Sequence, residues 1–320
     1  MKENTDVEWN SIEEIIYEVI RVVFEENKEL NLEFQNEEDR EWISQLIRYI
    51  FSESRGLENS VIKDLEQFEE NFGKYISNEL NNKYYSNVAV LINKLVKDNI
   101  DKEISLDVLN FNYSINQQDA EAIIKRINRV SLNSWRNIHG TARYFGEEMK
   151  PIFGIDMHDI LENENASYSG ELSEQNYNFN KLPFNDSKVI FTKFFRLLFG
   201  NKDNSNIALN KFSSNIDKII FYGHSLSHAD YSYFESIFDM YDIYNIHSKV
   251  ELDFYYHHVH NPQNSKKLNT ENINSRRSSV KNIVNLLTSY GQTLGKENHG
   301  ENIVNRLILE QRLHVLESPK

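Results

Sequence analysis

The 320-residue chain has no cysteine. That excludes disulfides and thiolate metal sites, and it suits a reducing, cytoplasmic setting. No apolar run approaches the roughly 20 residues that span a bilayer. The first residues are acidic and polar, unlike a signal peptide. No internal repeat occurs, and no zinc, Walker-type or helix-turn-helix signature stands out. Basic charge is also short: 35 Lys and Arg against 49 Asp and Glu leave a net charge of −14. The excess acid gathers towards the start of the chain. Broad binding to nucleic acid or to an anionic membrane is therefore not expected.

What is present fits a globular protein with a sizeable core, at 39% hydrophobic and 26% charged residues. From Asn10 to Asp98 the pattern is helical. Ser11 and Glu14 make a capping box, and Ile12, Ile15, Ile16, Val19, Ile20 and Val23 recur at helical spacing. Further helices are expected around Trp42–Phe51, Val61–Phe72 and Val88–Val96. After Lys102 the pattern changes. Strands are expected at Ile104–Phe111, Trp135–His139, Pro151–Ile155, Ile219–Tyr222 and Val250–Tyr256. Helices are expected at Asp119–Val130, Val189–Phe199, Tyr231–Tyr241, Ser275–Leu287 and Ile303–Leu313. Alternating strands and helices point to an α/β class with a mainly parallel sheet flanked by helices. Residues 1–102 read as a helical block packed on or inserted in the core, and 103–320 as that core. Residues 159–187, rich in Asn, Ser, Glu and Tyr, read as a long surface excursion.

Polar clusters follow three of the expected strands. They are Asn110–Ser114, Ile138–Gly140, and Gly223 through Asp230. The third reads Gly-His-Ser-Leu-Ser-His-Ala-Asp. A glycine after a buried strand lets a ligand approach the main chain, and Ser225 and Ser227 add small polar groups. In a parallel sheet such strand ends gather on one edge, where ligands bind. Plainer readings stand beside this one. Asn112 could be a turn residue, His139 a surface or satisfied core histidine, and Asp230 a simple helix cap. His257, His258 and His260 do not make a convincing metal site, because His257 and His258 face opposite sides of extended chain. Arg276, Arg277 and Lys281, with Lys266 and Lys267, form a small basic region.

These clusters carry a family resemblance. Gly223–Asp230 with Tyr231-Ser232-Tyr233-Phe234 closely resembles the C-terminal signature of the AbiH family of bacterial abortive-infection, anti-phage proteins. Phe111-Asn112-Tyr113-Ser114 is similar to its Phe-Asn-Tyr-Thr segment. Ile138-His139-Gly140 is similar to its Ile-His-Gly element, Phe153–Asp156 to the Phe-Gly-Ile-Asp that follows, and Trp9–Glu13 to Trp-x-x-Leu-Glu. The order and approximate spacing agree over about residues 10–260. More loosely, the chain resembles sirtuin-like domains of phage-defence proteins.

The resemblance implies a sirtuin-like or Rossmann-like core that takes NAD or another nucleotide. On that comparison His139 and Asn112 are catalytic, with His139 as general base and Asn112 orienting water or a ribose hydroxyl. Gly140, Gly223, His224, Ser225 and Asp230 hold the cofactor. No metal and no membrane are expected. A phage-derived trigger or a protein partner fits the family, and so does an oligomer. The activity implied is hydrolysis of NAD or a related nucleotide; the alternative is a non-catalytic sensor that binds a nucleotide or a protein. One departure is large. Family members open with a strand ending in Gly-Asn-Gly-Phe-Asp, a phosphate-cradling turn. Nothing like it precedes Trp9, which suggests a chain begun downstream of the usual start or one that has lost that strand.

Overall fold

The computed structural model describes residues 10–24, 41, 44–45, 57–96, 102–143, 149–155, 187–200, 211–226, 230–258, 265–294 and 302–319. These hold eight α-helices and five strands. The described strands form two parallel sheets, of two and three strands, rather than one continuous layer. The chain divides into two compact units, neither continuous in sequence. Met1–Tyr85, Val108–Ile123 and Trp135–Ala208 make the first; Ser86–Asp107, Ile124–Ser134 and Leu209–Lys320 make the second.

In the first unit, α1 (Asn10–Phe24) and α2 (Leu57–Glu79) bury the apolar stripes that their spacing announces. Ile20, Val61, Leu65 and Phe72 pack with Phe153, Ile155 and Phe191. The aromatic rings meet edge-on or tilted: Phe72 lies 5.1 Å from both Tyr113 and Phe153, and Phe24 lies 5.5 Å from Phe191. Glu69 sits four residues after Leu65, so it faces this core instead of water. It is met there by Arg196 of α5 (Lys193–Gly200) in a two-pronged ion pair, with Nη2 donating to Oε2 over 2.9 Å. The Phe153 N–H donates to Glu69 Oε1 over 2.6 Å, and Arg196 Nη1 donates to the Phe153 carbonyl over 2.6 Å. Burial pushes the Glu69 carboxyl up, while the guanidinium pulls against that shift.

The helix α3 (Asn82–Val96) precedes β1 (Ile104–Asn110), which α4 (Gln117–Ile124) connects to β2 (Val130–Asn137). The strands run in parallel. The Ile104 N–H donates to the Arg129 carbonyl over 2.9 Å at one end, and the Ile138 N–H donates to the Asn110 carbonyl over 3.1 Å at the other.

The second unit holds the three-stranded sheet, ordered β3 (Lys218–Tyr222), β4 (Glu251–Tyr256), β5 (Leu313–Glu317). The connections are helical, as parallel pairing requires. α6 (Tyr231–Met240) joins β3 to β4, and α7 (Ser265–Thr293) with α8 (Ile303–Leu309) joins β4 to β5. Phe221 stacks on Phe254 at 4.2 Å, and Phe234 and Phe238 of α6 meet Phe221 edge-on. Ile283, Leu286, Leu287 and Tyr290 form the buried stripe of α7. The Tyr290 hydroxyl donates to Asp239 over 2.9 Å; burial, then this carboxylate, push its pKa up. Arg312, buried just before β5, donates to the carbonyls of Val250 and Ile243 over 2.9 and 2.8 Å.

Several expectations need correction. β2 begins at Val130, not Trp135. Exposed Ser131 and Asn133 alternate with half-buried Val130 and Leu132, so the strand is legible by period rather than as an apolar run. The preceding helix accordingly ends at Ile124. Residues 151–155 form no strand beyond a single bridge from Ile155 to Thr192. Their backbone groups are used otherwise: the Ile152 N–H donates to the His139 carbonyl over 2.8 Å, and Phe153 is held by Glu69 and Arg196. The run Ile303–Leu313 is a short helix followed by a strand. Gln311 turns the chain at φ +56°, a conformation usually left to glycine. Lys218 and Ile220 are only half-buried and Tyr222 is exposed, so β3 is not enclosed on both faces. Most of the expected helix at 42–51 and the excursion at 159–187 lie outside the described residues.

Removing one partner of a buried ion pair leaves the other charge uncompensated. Glu69→Gln is expected to cost about 3–5 kcal/mol. Glu69→Met with Arg196→Leu should recover only part of this, because the Phe153 N–H and carbonyl lose their partners too. Denaturant unfolding followed through exchange of first-unit amides checks both; a loss below about 1 kcal/mol for Glu69→Gln contradicts the role assigned here.

Candidate functional site

Of the cluster after β3, residues 223–226 and 230 are described. Gly223 adopts φ +67°, and no atom of the described residues lies within 4 Å of where a Cβ would stand. His224 then ties the turn down with both ring nitrogens. The Leu226 N–H donates to Nδ1 over 2.8 Å, so the neutral ring carries its proton on Nε2, which lies 3.2 Å from Asp230 Oδ2. The ring also meets Phe234 edge-on at 4.9 Å. Leu226 sits at φ +56°, a costly conformation for a branched residue that these contacts hold in place. Asn282 of α7 donates to the Ser225 carbonyl over 2.9 Å. Asp230 does stand at the start of α6, but its carboxylate makes no capping hydrogen bond and turns to His224 instead. Ser227 lies outside the described residues.

Asn112, His139 and Gly140 belong to the first unit. Asn112 is exposed, and its Oδ1 accepts the Ser114 N–H over 3.1 Å, the local geometry of a turn. His139 is only 6% exposed; its ring lies 5.7 Å from Phe111 and 6.2 Å from Tyr113. Phe111 and Tyr113 set their rings against His139, while Asn112 between them in sequence is exposed. Gly140 has φ +79°, and an added Cβ would lie 1.8 Å from the Lys150 carbonyl oxygen. The close approach that requires glycine here is made by the protein's own backbone. His224, Ser225 and Asp230 fall in the second unit.

Sequence reading missed two further arrangements. One is an asparagine network at the ends of β1 and β2. Asn110 donates to Asn137 Oδ1 over 3.1 Å, Trp135 Nε1 donates to the same atom over 2.8 Å, and Asn137 donates to the Ile115 carbonyl over 2.8 Å. Buried Asn116 accepts the Asp119 N–H over 2.8 Å, capping α4. Nearby, Tyr85 donates to Asp119 over 3.0 Å and accepts from Arg143 over 2.9 Å; burial, then Asp119, push its phenol up to about 12. The abundance of Asn around these strand ends was the available signal. The other arrangement is on the three-stranded sheet. Lys218 Nζ lies 2.7 Å from Asp253 Oδ2 and 3.2 Å from Glu251, and His314 Nδ1 lies 2.7 Å from Asp253 Oδ1. Burial tends to lower the Lys218 pKa, but its hydrogen bonds to Asp253 and Glu251 prevail and hold it above the usual lysine value. His314 gave no signal because its segment read as the end of a helix.

His258 is engaged locally: Asn272 Nδ2 lies 3.2 Å from Nε2, and Glu317 lies 3.5 Å from Nδ1. His260 lies outside the described residues. Arg276, Arg277 and Lys281 are exposed on α7.

The chain matches no family model, no curated protein and no solved structure.

The two positive-φ glycines should respond differently to a methyl group. Gly223→Ala is expected to cost about 1–2 kcal/mol, the backbone term alone. Gly140→Ala adds a backbone clash and should cost about 2–5 kcal/mol. Thermal unfolding of the two variants side by side checks the order; equal losses contradict it.

Proposed function

We propose that the chain is a nucleotide-binding α/β protein that takes NAD or a relative at the carboxyl end of β3, and that it serves in anti-phage defence as its motifs imply. The observation that carries the site is Gly223: a positive-φ glycine, with no described atom within 4 Å of where a Cβ would stand, at the end of a parallel strand, on a turn braced by His224, Asp230 and Asn282. Open parallel α/β sheets take ligands outside the carboxyl ends of their strands, and a sirtuin-like or Rossmann-like core is the finer fold reading that goes with this proposal.

Binding without turnover is the reading favoured. His224 spends both nitrogens on the turn, which leaves it no lone pair for proton transfer. Hydrolysis of NAD is the second reading and rests on His139 and Asn112. Its support is the motif resemblance and the membership of both residues in the first unit. A cytoplasmic location and a phage-derived trigger or protein partner belong to the same proposal.

Titration calorimetry of the full chain with NAD and with ADP tests it. Saturable binding is expected, weakened about tenfold or more by Gly223→Val, whose side chain would take the ligand's place. Absence of binding to both nucleotides contradicts the proposal. Nicotinamide release that His139→Ala abolishes would move the conclusion to the hydrolytic reading.

A further inference from the structure

The three-stranded sheet carries a second set of functional groups, set towards the amino ends of its strands and apart from the turn after β3. Parallel register places Lys218 beside Glu251 and Asp253 beside His314. Side chains alternate along a strand, so Lys218, Glu251, Asp253 and His314 share one face. Phe221, Leu252 and Phe254 point the other way, into the core with α6. Three residues that can ligate a metal therefore converge from two adjacent strands. One ligand atom each from Glu251, Asp253 and His314 lies within 4.8 Å of the other two. Strands hold such atoms in place better than loops do.

The environment of each donor matters. Asp253 is 3% exposed on the middle strand and fixed through both oxygens, by Lys218 on one and His314 on the other. Glu251 and His314 keep side chains about 42% and 34% exposed, so an ion can arrive from solvent without the sheet opening. Two carboxylates against one ammonium leave a unit of negative charge uncompensated. Lys218 reaches the cluster on a flexible, partly exposed stem, and such a stem can withdraw.

We propose that Glu251, Asp253 and His314 form a binding site for a divalent transition ion of the zinc class, with Lys218 holding the carboxylates together while no ion is bound. His314 ligates through Nδ1. For that the proton Nδ1 gives to Asp253 moves to Nε2, and the ring stays neutral. One imidazole with two carboxylates suits zinc or manganese better than calcium or magnesium, which prefer oxygen alone. Three protein ligands leave room for water in the remaining position.

Calorimetric titration of the full chain with zinc chloride at neutral pH tests the site. One saturable zinc per chain is expected, with a rise in the thermal unfolding midpoint. His314→Ala and Glu251→Gln, both partly exposed positions, should each weaken binding about tenfold or more, and Lys218→Met should tighten it. No saturable zinc binding overturns the proposal. So does binding that His314→Ala leaves unchanged, since it would then belong to other histidines such as His257 and His258.

Discussion

A charge taken out of water must be met by partners, and that constraint ties distant parts of this chain together. In the first unit, Glu69 faces the core from α2 and is answered by Arg196, with Phe153 between them. The pair closes a loop of chain far longer than any helix or hairpin could. It also gives the backbone around Phe153 its partners where no strand pairing does. In the second unit the same constraint acts twice. Asp253 gathers Lys218 and His314 from the flanking strands, and Arg312 gathers carbonyls from the segments before β4. Such pairs add little net stability over apolar packing, but they are unforgiving of mismatched partners and so favour one register.

Local pattern carried the reading of the elements, and long-range charge did not. The stripes on α1, α2, α6 and α7 were legible because burial follows helical spacing. β3 was legible as an apolar run ended by glycine, and β4 as alternating Leu252, Phe254 and Tyr256 ended by histidines. β2 was read late because its polar half alternates. β5 was missed because Gln311, not glycine, makes the left-handed turn that separates it from α8. Nothing in a sequence announces that Glu69 will find Arg196. A lone carboxylate on an apolar helical face is the only hint.

The candidate site shows the same division. Glycine followed by small polar residues after a strand was enough to single out Gly223–Asp230. What His224 does there needed coordinates. Sequence alone suggested a group that touches ligand; the geometry gives it to the turn itself, with Asp230 drawn from capping α6 to hold the ring. Gly140 is similar. The resemblance made it a cofactor residue, while the structure sets the Lys150 carbonyl where its side chain would stand.

The central claim is that the strand end at Gly223 receives a nucleotide. Backbone amide shifts recorded by NMR during addition of NAD test it most directly. The account predicts the largest changes at Gly223, His224 and Ser225, saturating with added ligand. Saturating changes confined to other segments, or no changes at all, would contradict it.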